Sequence, residues 1–112
     1  MPPEIAKLLL DMKHAAQRIE RFAQGKTFED YQQDDLLRSA IERQFEILGE
    51  AMMRLNKCAP AVASRISDYR KISGFRNALV HGYDSIDDTI SWGVVTTKLA
   101  ILTMELDQIM AE

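Results

Sequence analysis

Residues 76–83 read Arg76-Asn77-Ala78-Leu79-Val80-His81-Gly82-Tyr83 and place groups suited to phosphate chemistry close together. The guanidinium of Arg76 stays charged and offers a planar fork of donors to phosphate oxygens, and His81 titrates near neutral pH. If Gly82 is the left-handed residue that ends a helix, His81 lies in the last turn, where the helix dipole favours the imidazolium. The segment therefore combines an anion-binding group with a proton donor, although basic side chains and glycine are also ordinary helix-ending signals.

Apolar side chains recur at three- and four-residue steps in four stretches, which predicts an all-α fold of four amphipathic helices. The predicted boundaries are Pro2 or Pro3 to Gly25, Asp34 or Asp35 to shortly before Pro60, Ser67 or Asp68 to Gly82, and Asp87 or Asp88 to an apolar series that closes at Ile109. Short connections favour an antiparallel up-and-down four-helix bundle, and the broad apolar stripe of the fourth helix suits a bundle interior or a subunit interface. A second helix of ~22 residues would be ~33 Å long, so we expect an elongated bundle.

Length and composition are those of one globular unit. At 112 residues, with 46% hydrophobic and 28% charged residues, the chain fits a single helical domain over residues 1–112. No apolar run reaches the ~20 residues of a membrane-spanning helix, so we expect no membrane association. The N-terminus lacks signal-peptide regions and Cys58 is the single cysteine, which together predict a cytoplasmic protein without disulfides.

The formal net charge of −3 argues against a general nucleic-acid coat protein, because counterion release rewards a basic surface. Positive charge is nevertheless concentrated around the phosphate-chemistry segment. Residues 65–83 contain four arginines and lysines and one aspartate, a local excess of +3 before His81 is considered. A site for RNA fits this region while the rest of the surface stays acidic; the alternative is a solvated helix face.

Beyond this local chemistry, the chain resembles the HepT-like branch of the HEPN domain family. The family motif is an arginine, four residues, a histidine, any residue and a tyrosine. It is matched by Arg76, His81 and Tyr83, with Asn77 directly after the arginine as in the family. The resemblance extends to residues 25–31 and 45–51, and so spans most of the chain. Family members often carry a Pro-Trp pair shortly before the motif, whereas this chain has Ser67-Asp68-Tyr69.

The resemblance implies the toxin of a type II toxin–antitoxin system, a metal-independent endoribonuclease that acts on an RNA such as tRNA or mRNA and needs no cofactor. In such an enzyme the 2′-hydroxyl of the substrate attacks the adjacent phosphate, which requires proton transfer and positive charge at the transition state. His81 would transfer a proton and Arg76 would stabilise the charge. Asn77 would orient the imidazole or the phosphate.

Helical geometry indicates that one copy of the motif is insufficient. On a regular helix Arg76 and His81 point ~140° apart, whereas Asn77 and His81 share a face. One helix therefore cannot easily aim both groups at one phosphate unless its last turn unwinds. The resemblance implies that two copies of the motif share a cleft in a homodimer, or in a higher even oligomer, which also concentrates positive charge there.

The resemblance also gives Tyr83 a regulatory role. In HepT-like toxins a minimal nucleotidyltransferase antitoxin attaches AMP to the tyrosine at this place, and the added phosphate would repel RNA. Tyr31 and Tyr69 lie outside the motif. The alternative function is a noncatalytic nucleotide- or partner-binding HEPN module of a nucleotidyltransferase complex. Relatives of that type often lack the intact motif, which this chain retains.

Other candidate sites are weaker. The row Glu42, Glu46 and Glu50 resembles a metal-binding face, but salt-bridge spacing predicts pairs of Glu42 with Arg38 and of Glu50 with Arg54. We expect no metal site. His14 and Cys58 have no neighbouring catalytic partner in the sequence, and Trp92 is most simply a core or interface residue.

Overall fold

The computed structural model describes residues 1–74 and 88–112, and the regular secondary structure of these residues is helical throughout. The helices are α1 (Pro3–Ala23), α2 (Phe28–Gln33), α3 (Asp35–Cys58), α4 (Pro60–Ala63), α5 (Asp88–Thr97) and α6 (Leu99–Met110). A further helical stretch covers residues 69–74. The all-α prediction is confirmed, whereas the predicted end of the third helix at Gly82 lies outside the described residues. Within the described ranges, no helix has both the length and the apolar character needed to cross a membrane.

Helices α1 and α3 form the most extensive helix pair among the described elements. Pro3 occupies the first turn of α1, where its missing N–H costs no hydrogen bond. Gly25 follows the end of α1 with a φ of +74°, a left-handed conformation that glycine adopts without strain. Helix α3 begins after Asp34, whose Oδ1 accepts a hydrogen bond from the Leu37 N–H at 3.1 Å, as an N-cap does. The predicted limits of these two helices are confirmed.

The connection between α1 and α3 contains a short helix in addition to the four predicted from the sequence. The Asp30 N–H donates to Thr27 Oγ1 at 3.1 Å, and the Thr27 N–H donates to the Asp30 carboxylate at 2.9 Å. This reciprocal capping box starts α2, and its hydrogen bonds lower the pKa of Asp30. Helix α2 buries Tyr31 completely and contacts α5.

One hydrophobic core lies between α1, α3 and α6. Its largest fully buried members on these helices are Leu9, Met12, Ile19, Ile41, Met52, Leu55, Leu99 and Leu106. Each such side chain contributes about 1.5–3 kcal/mol on leaving water. The Cα atoms extend over 42 × 29 × 19 Å, so the expected elongated shape is confirmed.

The fourth predicted helix is divided into α5 and α6, which meet at Lys98. Just before the division, Thr97 Oγ1 donates to the Gly93 carbonyl at 2.6 Å and Thr96 Oγ1 donates to the Trp92 carbonyl at 3.0 Å. Hydroxyls that bond back to carbonyls of the preceding turn bend helices. The prediction of one continuous helix is therefore wrong at this point, and the described part of α5 runs from Asp88.

Candidate functional site

The four residues predicted to carry the chemistry lie in the range 75–87, outside the described residues: Arg76, Asn77, His81 and Tyr83. The structure instead defines the two segments that connect them to the bundle. The described part of the helical stretch, residues 69–74, reaches to within two positions of Arg76, and the description resumes in α5, five positions after Tyr83. The structure therefore shows the surroundings of the predicted site on its two sides, in residues 67–74 and in α5.

The preceding flank is attached to α6 by a polar contact. Asp68 has a φ of 59°, a left-handed conformation for which aspartate is enriched. Its carbonyl accepts the first helical hydrogen bond, from the Ile72 N–H at 3.0 Å, which confirms the predicted helix start. Ser67 donates to the Glu105 carboxylate through Oγ at 2.9 Å and through its N–H at 3.2 Å. These bonds hold the start of the stretch against α6.

Positive charge on this flank is smaller than the sequence indicates, because Glu112 from the end of the chain pairs with Arg65. Within the flank, Lys71 lies 3.8 Å from Asp68, and Lys98 approaches the same carboxylate at 3.8 Å. Arg70 is different, since its guanidinium carbon lies 5.5 Å from the centre of the Tyr69 ring. Arg70 is therefore the exposed cation of residues 65–74 that the described residues leave without a carboxylate partner.

A cavity of about 370 Å³ lies between residues 67–72, α3, α5 and α6. Apolar side chains dominate its wall, among them Leu48, Ile72, Ile90, Val94, Ile101 and Leu102. The charged groups of its described lining are two lysines, an aspartate and a glutamate, so their formal charges cancel. A mostly apolar lining suits contact with another apolar surface, such as that of a second subunit, because burial of hydrocarbon surface is favourable.

A buried polar cluster lies where α2, α3 and α5 meet. Burial raises the pKa of Tyr31 to about 12, although the nearby Ser91 hydroxyl reduces the rise. The two hydroxyls have no partner of ordinary hydrogen-bond geometry among the described residues. Burial also raises the pKa of the Glu42 carboxyl, against the opposing effect of Arg38. Tyr31 is fully buried, so its hydroxyl is out of reach of a substrate, and we interpret this cluster as support for α5.

The row of glutamates on α3 is largely ion-paired. The pairs are Arg43 with Glu46 at 3.1 Å and Arg54 with Glu50 at 3.0 Å, so the predicted pair of Glu50 with Arg54 is confirmed. Arg38 pairs with Asp35 at 2.6 Å instead of Glu42, because it also donates to the Gln32 carbonyl at the end of α2. Residues 1–74 and 88–112 contain no group of three or more His, Cys, Asp or Glu side chains that could hold a metal. His14 and Cys58 are exposed.

Comparison with known structures defines the class of fold. The solved structure of a tri-AMPylated Shewanella oneidensis HEPN toxin in complex with MNT antitoxin is similar to this chain with a TM-score of 0.74. The similarity covers 100% of both chains at 19% sequence identity. The protein therefore has the all-α HEPN fold that the sequence predicts.

Comparison of sequences defines the family within that class. The ribonuclease HepT-like family model matches residues 12–109, and this chain belongs to that family. A Caldanaerobacter subterraneus subsp. tengcongensis protein provisionally named as an RNase is 27% identical, over 96% of this chain and 92% of that protein. The "Probable ribonuclease HepT" of Thermococcus cleftensis is also 27% identical, over 90% of this chain and 91% of that protein.

Proposed function

We propose that this protein is the toxin of a type II toxin–antitoxin system and cleaves RNA as a metal-independent endoribonuclease. The observation that carries the proposal is the family match over residues 12–109, a range that includes an intact Arg76, Asn77, His81 and Tyr83 motif. The names of the two relatives support ribonuclease activity. A nucleotidyltransferase antitoxin is supported by the MNT partner of the Shewanella oneidensis HEPN toxin.

The proposed reaction needs only groups of the motif and the substrate. The 2′-oxygen of the RNA forms a bond to the adjacent phosphorus while the bond from phosphorus to the 5′-oxygen breaks, which leaves a 2′,3′-cyclic phosphate and a 5′-hydroxyl. One group must accept the 2′ proton and one must protonate the leaving oxygen, and His81 performs one of these transfers. Arg76 offsets the additional negative charge on the phosphoryl oxygens, and Asn77 orients the imidazole or the phosphate.

The first test is cleavage under chelation. Purified protein in excess EDTA is expected to cleave RNA at its unchelated rate, because protonation and charge stabilisation come from side chains. Mass spectrometry of the products should show 2′,3′-cyclic phosphate ends. Cleavage that stops in EDTA and returns with Mg²⁺ would contradict the mechanism.

The proposal includes a homodimer in which both copies of Arg76 and His81 line one cleft. Helices α5 and α6 offer a suitable apolar face, on which Ile90, Ile101 and Met104 are 59%, 44% and 53% exposed. Ile90 and Ile101 also border the cavity whose charged rim is balanced. A two-fold interface places a surface against its own copy. A rim that carries both lysines and carboxylates can then form ion pairs between the two subunits.

Light scattering at micromolar concentration is expected to give about twice the chain mass of 12.8 kDa, or an even multiple of it. The double variant Ile101→Glu/Met104→Glu should shift the mass toward the monomer and lower RNA cleavage in parallel, because it places carboxylates in the apolar face. Leu36→Glu, at a position 81% exposed on α3, is the matched control and should change neither. A wild-type monomer with full ribonuclease activity would refute the composite site.

We also propose that a nucleotidyltransferase antitoxin silences the toxin by attaching AMP to Tyr83. The AMPylated state of the Shewanella oneidensis HEPN toxin supports this kind of control. The added phosphate would place negative charge where the RNA phosphate binds.

A further inference from the structure

A second, open groove of about 710 Å³ lies between the end of α1 and the outer face of α5. Its wall includes Gln17, Glu20, Arg21, Gln24, Lys26 and Trp92. Two cations against one carboxylate give the wall a net charge of +1, whereas the whole chain carries −3. The groove is therefore a locally basic surface, unlike the neutral cavity beside residues 67–72.

The two cations of the groove are available to a ligand. Arg21 and Lys26 are both exposed, and no salt bridge among the described residues involves either, although the charge of Lys26 contributes to the lowered pKa of Asp30. The guanidinium carbon of Arg21 lies 5.4 Å from the centre of the Phe22 ring. Gln17 and Gln24 add amide groups that can both donate and accept hydrogen bonds.

The aromatic wall of the groove is held in place from behind. The ring of Trp92 lies 5.2 Å from the ring of Tyr31, centre to centre. Tyr31 itself is fully buried, so the indole packs against a side chain of the protein interior. A fixed aromatic surface loses little conformational entropy when a ligand stacks on it. The sequence did not show this arrangement, because Trp92 follows Arg21 and Lys26 by more than sixty residues.

We propose that this groove binds a nucleotide of single-stranded RNA, with its base against Trp92 and its phosphate beside Arg21 and Lys26. Aromatic surfaces combined with a positively charged groove are the general features of single-stranded nucleic-acid sites. The glutamine amides suit the edges of an unpaired base or a 2′-hydroxyl. This inference rests on the proposed function, since it adds a contact to the RNA substrate outside the motif.

Trp92 is the only tryptophan of the chain, so its fluorescence reports on the groove directly. The His81→Ala protein, which should bind RNA without cleaving it, is titrated with single-stranded oligoadenylate. We expect saturable quenching of the Trp92 emission. Introducing Arg21→Gln/Lys26→Gln into the His81→Ala protein should weaken its affinity for oligoadenylate about tenfold. The affinity should also depend less steeply on salt, because fewer counterions are released per RNA bound.

The matched control is Lys7→Gln/Lys57→Gln in the same His81→Ala protein. It removes the same amount of charge, and Lys7 lies fourteen residues before Arg21 on α1, a distance of ~21 Å along the helix. This control should bind oligoadenylate as the His81→Ala protein does. Equal affinities of the two double variants would overturn the proposal, since they would show that only total charge matters.

A second variant tests the stacking surface itself. Trp92→Leu should weaken the binding of labelled oligoadenylate about tenfold, measured by anisotropy, in line with the loss of one stacked base. Its helicity is checked by circular dichroism, and if it does not fold, the Arg21→Gln/Lys26→Gln result decides. AMP that quenches Trp92 as tightly as the oligomer would also overturn the proposal, in favour of a free-nucleotide pocket. Variants of the groove that lose antitoxin binding but keep their affinity for RNA would also overturn the proposal. That result would identify the groove as a protein-binding surface.

The same variants separate this inference from the proposed function. Cleavage by the wild type with an unchanged KM in Arg21→Gln/Lys26→Gln would exclude the groove and leave the ribonuclease proposal intact. Groove-dependent binding by a wild-type protein that cleaves no RNA would exclude the ribonuclease proposal and leave the groove.

Discussion

Replacement of His81 by alanine is expected to slow RNA cleavage by about 10²-fold or more, the range for loss of general acid–base help. The reason is that the imidazole is the group of the motif that can exchange a proton near neutral pH. Initial rates are measured on a labelled RNA for both proteins, with light scattering to show that the variant still assembles. The dependence of the rate on pH should also lose the limb that belongs to His81.

The chain offers a matched control for this experiment. It contains two histidines, and His14 is exposed on α1, outside the motif. His14→Ala should cleave RNA at the wild-type rate with an unchanged pH profile. Normal cleavage by His81→Ala, or an equal loss in His14→Ala, would show that the imidazole of the motif does not take part in the reaction.

Replacement of Tyr83 by phenylalanine is expected to abolish modification by the antitoxin. In the proposed reaction the phenolic oxygen of Tyr83 loses its proton and attacks the α-phosphorus of ATP, the bond to the β,γ-diphosphate breaks and pyrophosphate leaves, so AMP remains on the tyrosine. The modification adds a negatively charged phosphodiester, which can pair with Arg76 in place of the RNA phosphate. Wild-type protein should therefore lose toxicity without a change of fold, and Tyr83→Phe should stay toxic in the presence of the antitoxin.

Burial of the other tyrosines supports this choice of residue. The chain has three tyrosines, of which Tyr31 is fully buried and has a pKa of about 12. Tyr69 is half-buried, and the Arg70 guanidinium lies over its ring. Another enzyme cannot reach the Tyr31 hydroxyl in the folded protein.

The measurement is mass spectrometry of the protein after incubation with the cognate nucleotidyltransferase and ATP. Wild type and the control Tyr69→Phe should gain the mass of AMP, and the modified peptide should contain Tyr83. Tyr83→Phe should remain unmodified. Modification that persists in Tyr83→Phe, or that maps to Tyr31 or Tyr69, would eliminate the proposed switch.

Two properties of this protein depend on local sequence alone. The limits of α1 and α3 follow from the helical period of apolar residues and from end signals such as Pro3, Gly25 and Asp34, because these act within one or two turns. The residue types of the motif are equally local, and they are sufficient to indicate phosphate chemistry at Arg76 and His81. The assignment of their roles remains a proposal.

Two predictions about the helices, the absence of α2 and the continuity of the fourth helix, are wrong because local signals are insufficient there. The sequence contains the capping box of Thr27 and Asp30, but this signal is too short to predict α2 in a segment that opens with the helix-ending Gly25. The division at Lys98 follows two threonines whose hydroxyls bond back to the carbonyls of Trp92 and Gly93, and the helical period of apolar residues does not predict such bonds.

Only the tertiary structure determines the charge of the flank before the motif and the residues that form the groove between α1 and α5. Glu112 reduces the basic character of the motif's flank by pairing with Arg65, 47 residues away, and Glu105 holds Ser67 across 38 residues. Trp92 meets Arg21 and Lys26 only because α5 lies against the end of α1. Helical periodicity determines which face of each helix is buried, but the pairing of charges and rings between faces depends on how the helices are placed against one another, and that placement is set by packing of the whole core.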